Sequence, residues 1–127
     1  MKRVLFVCVE NANRSQMAEA FARMHGGGGV EALSAGSRPS ARINPKAVRF
    51  MAERGYDLAA HGSKSLDDVA GDFDAVVTMG CGDACPLILA RQRIDWALPD
   101  PRDMDDEAYR AVRDDIEARV RALLAAL

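Results

Sequence analysis

The chain has 127 residues, enough for one domain with a real core, and 49% of them are apolar against 28% charged, the balance of an ordinary globular protein. A net charge of -2 offers no basic excess for nucleic acid or an anionic membrane surface. No apolar run approaches the ~20 residues of a membrane span.

Met1–Val7 resembles the start of a signal peptide, but its apolar stretch stops before Glu10 and lacks a small-residue cleavage site. A cytoplasmic location is therefore expected. Three cysteines, an odd number, do not suit a secreted disulfide framework. In a reducing compartment they point to reactive or metal-binding thiols.

Residues 3–8 read as a first strand, a continuous apolar run of the kind covered on both faces. Cys8-Val9-Glu10-Asn11-Ala12-Asn13-Arg14-Ser15 follows at once. Residues 14–25 then read as a helix with Met17, Phe21 and Met24 on one face. A cysteine thus sits where a buried strand ends, and an arginine enters the next helix. N–H groups at a helix start lack partners and, with the helix dipole, favour an anion. A loop curled before the helix adds more of them, so Val9 to Ser15 are candidate oxyanion-binding residues. Arg14 supplies a planar fork that matches tetrahedral oxyanions. The same positive field favours the thiolate of Cys8, the nucleophilic form, and Ser15 can donate a hydrogen bond to it.

Gly26–Gly29 end the helix. Val30–Ala35 form a second strand, followed by a loop from Gly36 to Arg42. Asn44-Pro45 starts a second helix, with Asn as cap and Pro in the first turn. Ala47, Val48 and Met51 supply its apolar stripe, and Gly55 ends it. His61–Ser65 is a polar connection and Leu66–Val69 a short helical turn. Phe73–Met79 is a third strand, Gly80–Pro86 a loop with two cysteines, and Ile94–Leu98 a short fourth strand. Residues 105–126 form a last helix with Val112, Ile116, Val120 and Leu123 at helical spacing. This alternation predicts one α/β domain over 1–127, a three-layer fold with a four-stranded parallel sheet and helices on both faces. Ligands then sit beyond the carboxyl ends of the strands, where Cys8, Cys81 and Asp100 fall.

Cys81 and Cys85 are close enough in sequence for a disulfide. They could instead be unreactive or half of a metal site. Only His25 and His61 could complete such a site, and both read as solvated, so no metal is expected. A redox pair is the favoured reading because a nucleophilic cysteine ends a neighbouring strand. Asp100, stiffened between Pro99 and Pro101, is a candidate acid for a departing oxygen, or else a plain turn residue.

Taken together, the motifs resemble arsenate reductases built on the low-molecular-weight protein tyrosine phosphatase fold. The resemblance runs nearly end to end, through Val4–Cys8, Asn11, Arg14–Phe21, Ser34-Ala35-Gly36, Asn44–Ala47, Val76–Pro86 and Trp96–Pro101. The cysteine pair favours the reductases, as does Gln16, where phosphatases usually carry proline. The resemblance implies that arsenate binds the Cys8–Arg14 loop, that Cys8 attacks arsenic while Asp100 protonates the leaving oxygen, and that Cys81 and then Cys85 carry the disulfide outward. It implies no tightly bound cofactor, and an external reductant: thioredoxin or a low-molecular-weight thiol system. Residues matching Asn11, Glu19 and Ser34 brace the loop in some relatives, around a potassium ion. Lys64 falls where those relatives have an acidic ligand, and its ammonium is expected to replace the ion. Glu10 and Asn13 depart from the family's loop, and a carboxylate at Glu10 repels an anion unless it faces solvent or pairs with a cation. The alternative activity is a phosphatase using Cys8, Arg14 and Asp100 alone. A thiol-based oxyanion sensor is a third reading.

Overall fold

The computed structural model describes residues 1–40, 42–69, 71–79 and 90–127. Four parallel strands form its sheet: β1 (Lys2–Cys8), β2 (Val30–Gly36), β3 (Phe73–Thr78) and β4 (Ala90–Asp95), in the order β2-β1-β3-β4. β1 lies in the middle, and its alternation splits the core. Val4, Phe6 and Cys8 face one side with α1 (Arg14–Gly26), α2 (Pro45–Ala52) and α3 (Asp106–Ala126). Leu5 and Val7 face the other with Val76, covered by Leu66 and Val69 at the short helical turn Leu66–Asp68. Helical segments cover both faces, unequally. The α/β parallel architecture is as expected.

Three local readings are corrected. The fourth strand spans Ala90–Asp95, not Ile94–Leu98. It is an edge strand with Arg91, Gln92 and Arg93 exposed, so backbone pairing to β3 defines it and no apolar run marks it. Trp96 and Leu98 lie beyond it and turn inward to the helix-covered core. Met24 does not belong to the buried face of α1; it is 37% exposed. Residues 15–22 are instead buried on every side, because the first two turns of α1 are enclosed by the sheet and the other helices. Gly26 still belongs to α1, and Gly27–Gly29 continue as a 3-10 turn before β2.

The caps follow local chemistry. Asn44 Oδ1 accepts the Lys46 N–H at 2.9 Å, and Asp105 Oδ1 accepts the Ala108 N–H at 2.8 Å. An ion-pair cluster ties the end of α2 to α3. Glu53 accepts two hydrogen bonds from Arg110, at 3.0 and 2.9 Å, and one from Arg113 at 2.7 Å. Those donors hold its carboxyl down at about 2. The depressed value means stability present above pH 4.5 and lost as pH falls towards 2. Glu53→Gln is expected to flatten the stability curve over that window, read as urea midpoints against pH; an unchanged slope would remove Glu53 from the acid response.

Candidate active site

The segment from Cys8 to Arg14 curls at the carboxyl end of β1. Its carbonyls are tied outward: Arg38 N–H donates to Val9 O at 2.8 Å, Ser40 N–H to Glu10 O at 3.0 Å, and Asn44 N–H to Ala12 O at 3.0 Å. In a trans peptide the N–H points opposite to the carbonyl. The N–H groups of Glu10, Asn11 and Asn13 therefore turn to the other side, that of the cleft. Asn11 makes the curl possible with φ of 51°, a left-handed conformation that Asn tolerates better than most residues.

A cleft of about 490 Å³ opens over this loop, lined by Cys8, Glu10, Ala12, Asn13 and Arg14 and, from the far side, Leu98, Asp100 and Arg102. Cys8 Sγ lies 2.8 Å from Ser15 Oγ. Asn11 Nδ2 donates to Ser15 Oγ at 2.9 Å, so the Ser15 proton is free to be donated to a Cys8 thiolate. Asn11 Oδ1 in turn accepts from Gln16 Nε2 at 2.8 Å and from Lys64 N–H at 2.7 Å. Arg14 Nη1 donates to Leu98 O at 2.9 Å, which anchors the guanidinium to the segment carrying Asp100. Glu10 faces solvent and its carboxylate sits 3.5 Å from Arg102. Arg102 also donates its N–H to Asp100 Oδ1 at 3.0 Å. Glu10 thus faces solvent and has a cation beside it, Arg102, which it shares with the Asp100 carboxylate at 3.6 Å.

Beneath the loop lies a buried polar cluster. Glu19, 1% exposed, accepts from Ser34 Oγ at 2.6 Å and pairs with Arg23 at 3.0 Å. Lys64 Nζ stands 3.6 Å from Glu19 Oε1 and donates to Gly62 O at 2.9 Å. His61 is not solvated: its side chain is 7% exposed, with Nδ1 3.2 Å from Glu19 Oε2 and 3.0 Å from Gln16 Oε1, and Nε2 2.6 Å from Tyr56 Oη. Burial pushes His61 down, and the Glu19 charge opposes that. His25, by contrast, is exposed as expected, stacked on Phe21 and 2.8 Å from Glu117.

The expected loop residues, the side chains of Asn11, Ser15, Glu19 and Ser34, and Asp100 thus gather at one end of the sheet. Cys81 and Cys85 lie outside the described residues. Sequence reasoning missed three contributors. Arg102 faces the cleft. Tyr109 Oη donates to Asn13 Oδ1 at 2.6 Å from 96 residues away. Gly36 sits directly under the loop: a Cβ there would lie 2.5 Å from Val9 O and 2.9 Å from Asn11 N and Cys8 O. The signal for Gly36 was its place at the end of the strand beside β1. Nothing local marks the other two.

A parallel α/β sheet with a loop from Cys8 to Arg14 at the carboxyl end of an inner strand defines a class. Residues 3–127 match the low molecular weight phosphotyrosine protein phosphatase family, and the chain belongs to it. Within that class it is 40% identical to the glutaredoxin arsenate reductase of Synechocystis sp., over 98% of both chains. A solved arsenate reductase in its phosphate-binding state superposes with a TM-score of 0.91, at 36% identity, covering 99% of this chain and 98% of that one. The thioredoxin-dependent arsenate reductase of Corynebacterium glutamicum gives a TM-score of 0.81 at 35% identity, covering 99% of this chain and 61% of that one. No helix among the described residues is long and apolar enough to cross a membrane.

Proposed function

We propose that this protein reduces arsenate to arsenite. The observation that carries the reading is the Cys8 thiol in the cleft, hydrogen-bonded to Ser15, with Arg14 and Asp100 lining the same cleft. The likeness to arsenate reductases supports arsenate as the substrate.

Arsenate binds against the loop N–H groups and Arg14. The Cys8 thiolate attacks arsenic(V), and Asp100 protonates the departing oxygen, which leaves as water. The Cys81 thiolate then attacks Cys8 Sγ. The sulfur–arsenic bond breaks and its electron pair goes to arsenic, which departs as arsenite, arsenic(III). Cys8 and Cys81 are left joined by a disulfide. The Cys85 thiolate attacks Cys81, frees the Cys8 thiolate and leaves a Cys81–Cys85 disulfide. Two electrons from an external thiol reductant restore that pair. The relatives point to a thioredoxin or a glutaredoxin for this step.

Lys64 takes the place of a potassium ion in this reading. Its ammonium stands beside Glu19, and the Asn11 and Ser34 side chains are already committed to protein partners, so the cluster is a poor fit for a bound cation.

The test is arsenate-dependent NADPH oxidation with thioredoxin and its reductase, repeated with glutaredoxin or a low-molecular-weight thiol system. Turnover with none of them would overturn the proposal. Cys81→Ser is expected to abolish arsenate turnover yet spare p-nitrophenyl phosphate hydrolysis. If it spares both, the relay is wrong. The second reading, a phosphatase using Cys8, Arg14 and Asp100, is favoured by the family itself. It predicts efficient phosphate-ester hydrolysis and indifference of all turnover to Cys81.

A further inference from the structure

The charged groups of the cleft come from opposite walls. Among the described lining residues, Glu10 and Arg14 belong to the segment from the end of β1 into α1, and Asp100 and Arg102 to the segment after β4. Without Arg102, two carboxylates would face Arg14 alone. Arg102 spans the gap between the walls: its Nη1 lies 3.5 Å from both Glu10 oxygens and its Nη2 3.6 Å from Asp100 Oδ2.

These contacts are loose. A guanidinium–carboxylate pair at full strength closes to about 2.7–2.9 Å. All three side chains are half exposed, where such pairs hold weakly. The Arg102 backbone, by contrast, is anchored on both sides. Its N–H donates to Asp100 Oδ1 at 3.0 Å, and its carbonyl accepts from Lys46 Nζ at 3.3 Å. Arg102 thus has a fixed place and a side chain that can be drawn off its present partners.

An anion in the cleft lies within its range. An acid must approach the oxygen it protonates to about 3 Å, so Arg102 Nη2 starts within about 7 Å of any oxygen that Asp100 serves. A change of rotamer in so long a side chain covers that distance. Asp100 must also carry a proton to act as the acid, and a neutral carboxyl holds a guanidinium less tightly. The reacting state itself therefore loosens one of the two contacts.

We propose that Arg102 is a second anion-binding residue of the cleft: its guanidinium rests between Glu10 and Asp100 until an oxyanion draws it across the mouth. This rests on the reading of the Cys8–Arg14 loop as an oxyanion cradle and of Asp100 as the acid. Glu10, atypical of the family, then has a task, which is to hold the second arginine beside the cleft.

The experiment titrates inorganic phosphate against iodoacetamide labelling of Cys8 in the full chain, read by mass spectrometry of the Cys8 peptide. Each variant's half-protecting concentration is referred to its own unprotected rate. Arg102→Gln keeps the backbone ties and removes the charge. It is expected to weaken phosphate protection roughly tenfold, the scale of one hydrogen bond to a charged group at a half-exposed site, and to raise KM for arsenate by a similar factor. A second variant carries Glu10→Gln as well. With Arg102 acting on the anion directly, the double variant stays at least about fivefold weaker than the parent. With Arg102 serving only to cancel Glu10, removal of both charges restores parent affinity to within about twofold, and that result overturns the proposal. Unchanged protection in Arg102→Gln overturns it equally. No protection of the parent protein by phosphate would instead defeat the cradle reading, and the role of Arg102 with it.

Discussion

Cys8→Ser is expected to reduce both arsenate turnover and p-nitrophenyl phosphate hydrolysis by at least about 10³-fold, the scale of losing a nucleophile. A hydroxyl is a far poorer nucleophile than a thiolate. The substitution is nearly isosteric, and its site is buried against Ser15. The fold should therefore survive, and phosphate should still raise the melting temperature, because the loop donors and Arg14 remain. Loss of activity with retained phosphate stabilisation separates chemistry from binding. Hydrolysis that persists would place the nucleophile elsewhere.

Gly36→Ala tests the loop from below. Its new methyl would meet backbone atoms of Cys8, Val9 and Asn11. Those atoms cannot retreat cheaply. Val9 O is held by Arg38, and Gly36 itself donates to Lys64 O at 2.8 Å. Overpacking of this kind costs about 1–3 kcal/mol, which lowers the melting temperature by roughly 5–15 °C in a chain of this length. The larger effect is on function. A loop displaced by a fraction of an ångström no longer presents its N–H groups and thiol together, and kcat/KM should fall at least about tenfold. Differential scanning with and without phosphate checks both parts. An unchanged melting temperature and unchanged arsenate kinetics would show that the loop does not depend on this close approach.

The elements that sequence reading placed well carry their signals locally. β1, the turn at Cys8 and the start of α1 are marked by an apolar run, a polar break and a return to helical spacing. Asn44-Pro45 marks α2 through its cap. β4 was misplaced because an edge strand buries little, and its exposed Arg91 and Arg93 look like loop. The spacing of Met17, Phe21 and Met24 suggests an amphipathic α1 with Met24 inside, whereas only its first two turns are enclosed, and all round. His61 was read as solvated because its partners Gln16 and Glu19 are more than 40 residues away.

By itself, the sequence determined the parallel α/β class and the polar turn from Cys8 to Arg14 between β1 and α1, on which the proposed nucleophile and oxyanion cradle rest. Each of these is written in residue types only a few positions apart, where backbone geometry leaves little choice. Tertiary structure alone decided which groups serve that loop. Glu10 is matched by Arg102, Asn13 is held by Tyr109, Glu19 is shared among Ser34, Arg23, His61 and Lys64, and Gly36 leaves room beneath. Except for the Glu19–Arg23 pair, these contacts join segments far apart in the chain. Their energies depend on burial and on distances set by sheet order and helix packing, which no local pattern of residues encodes.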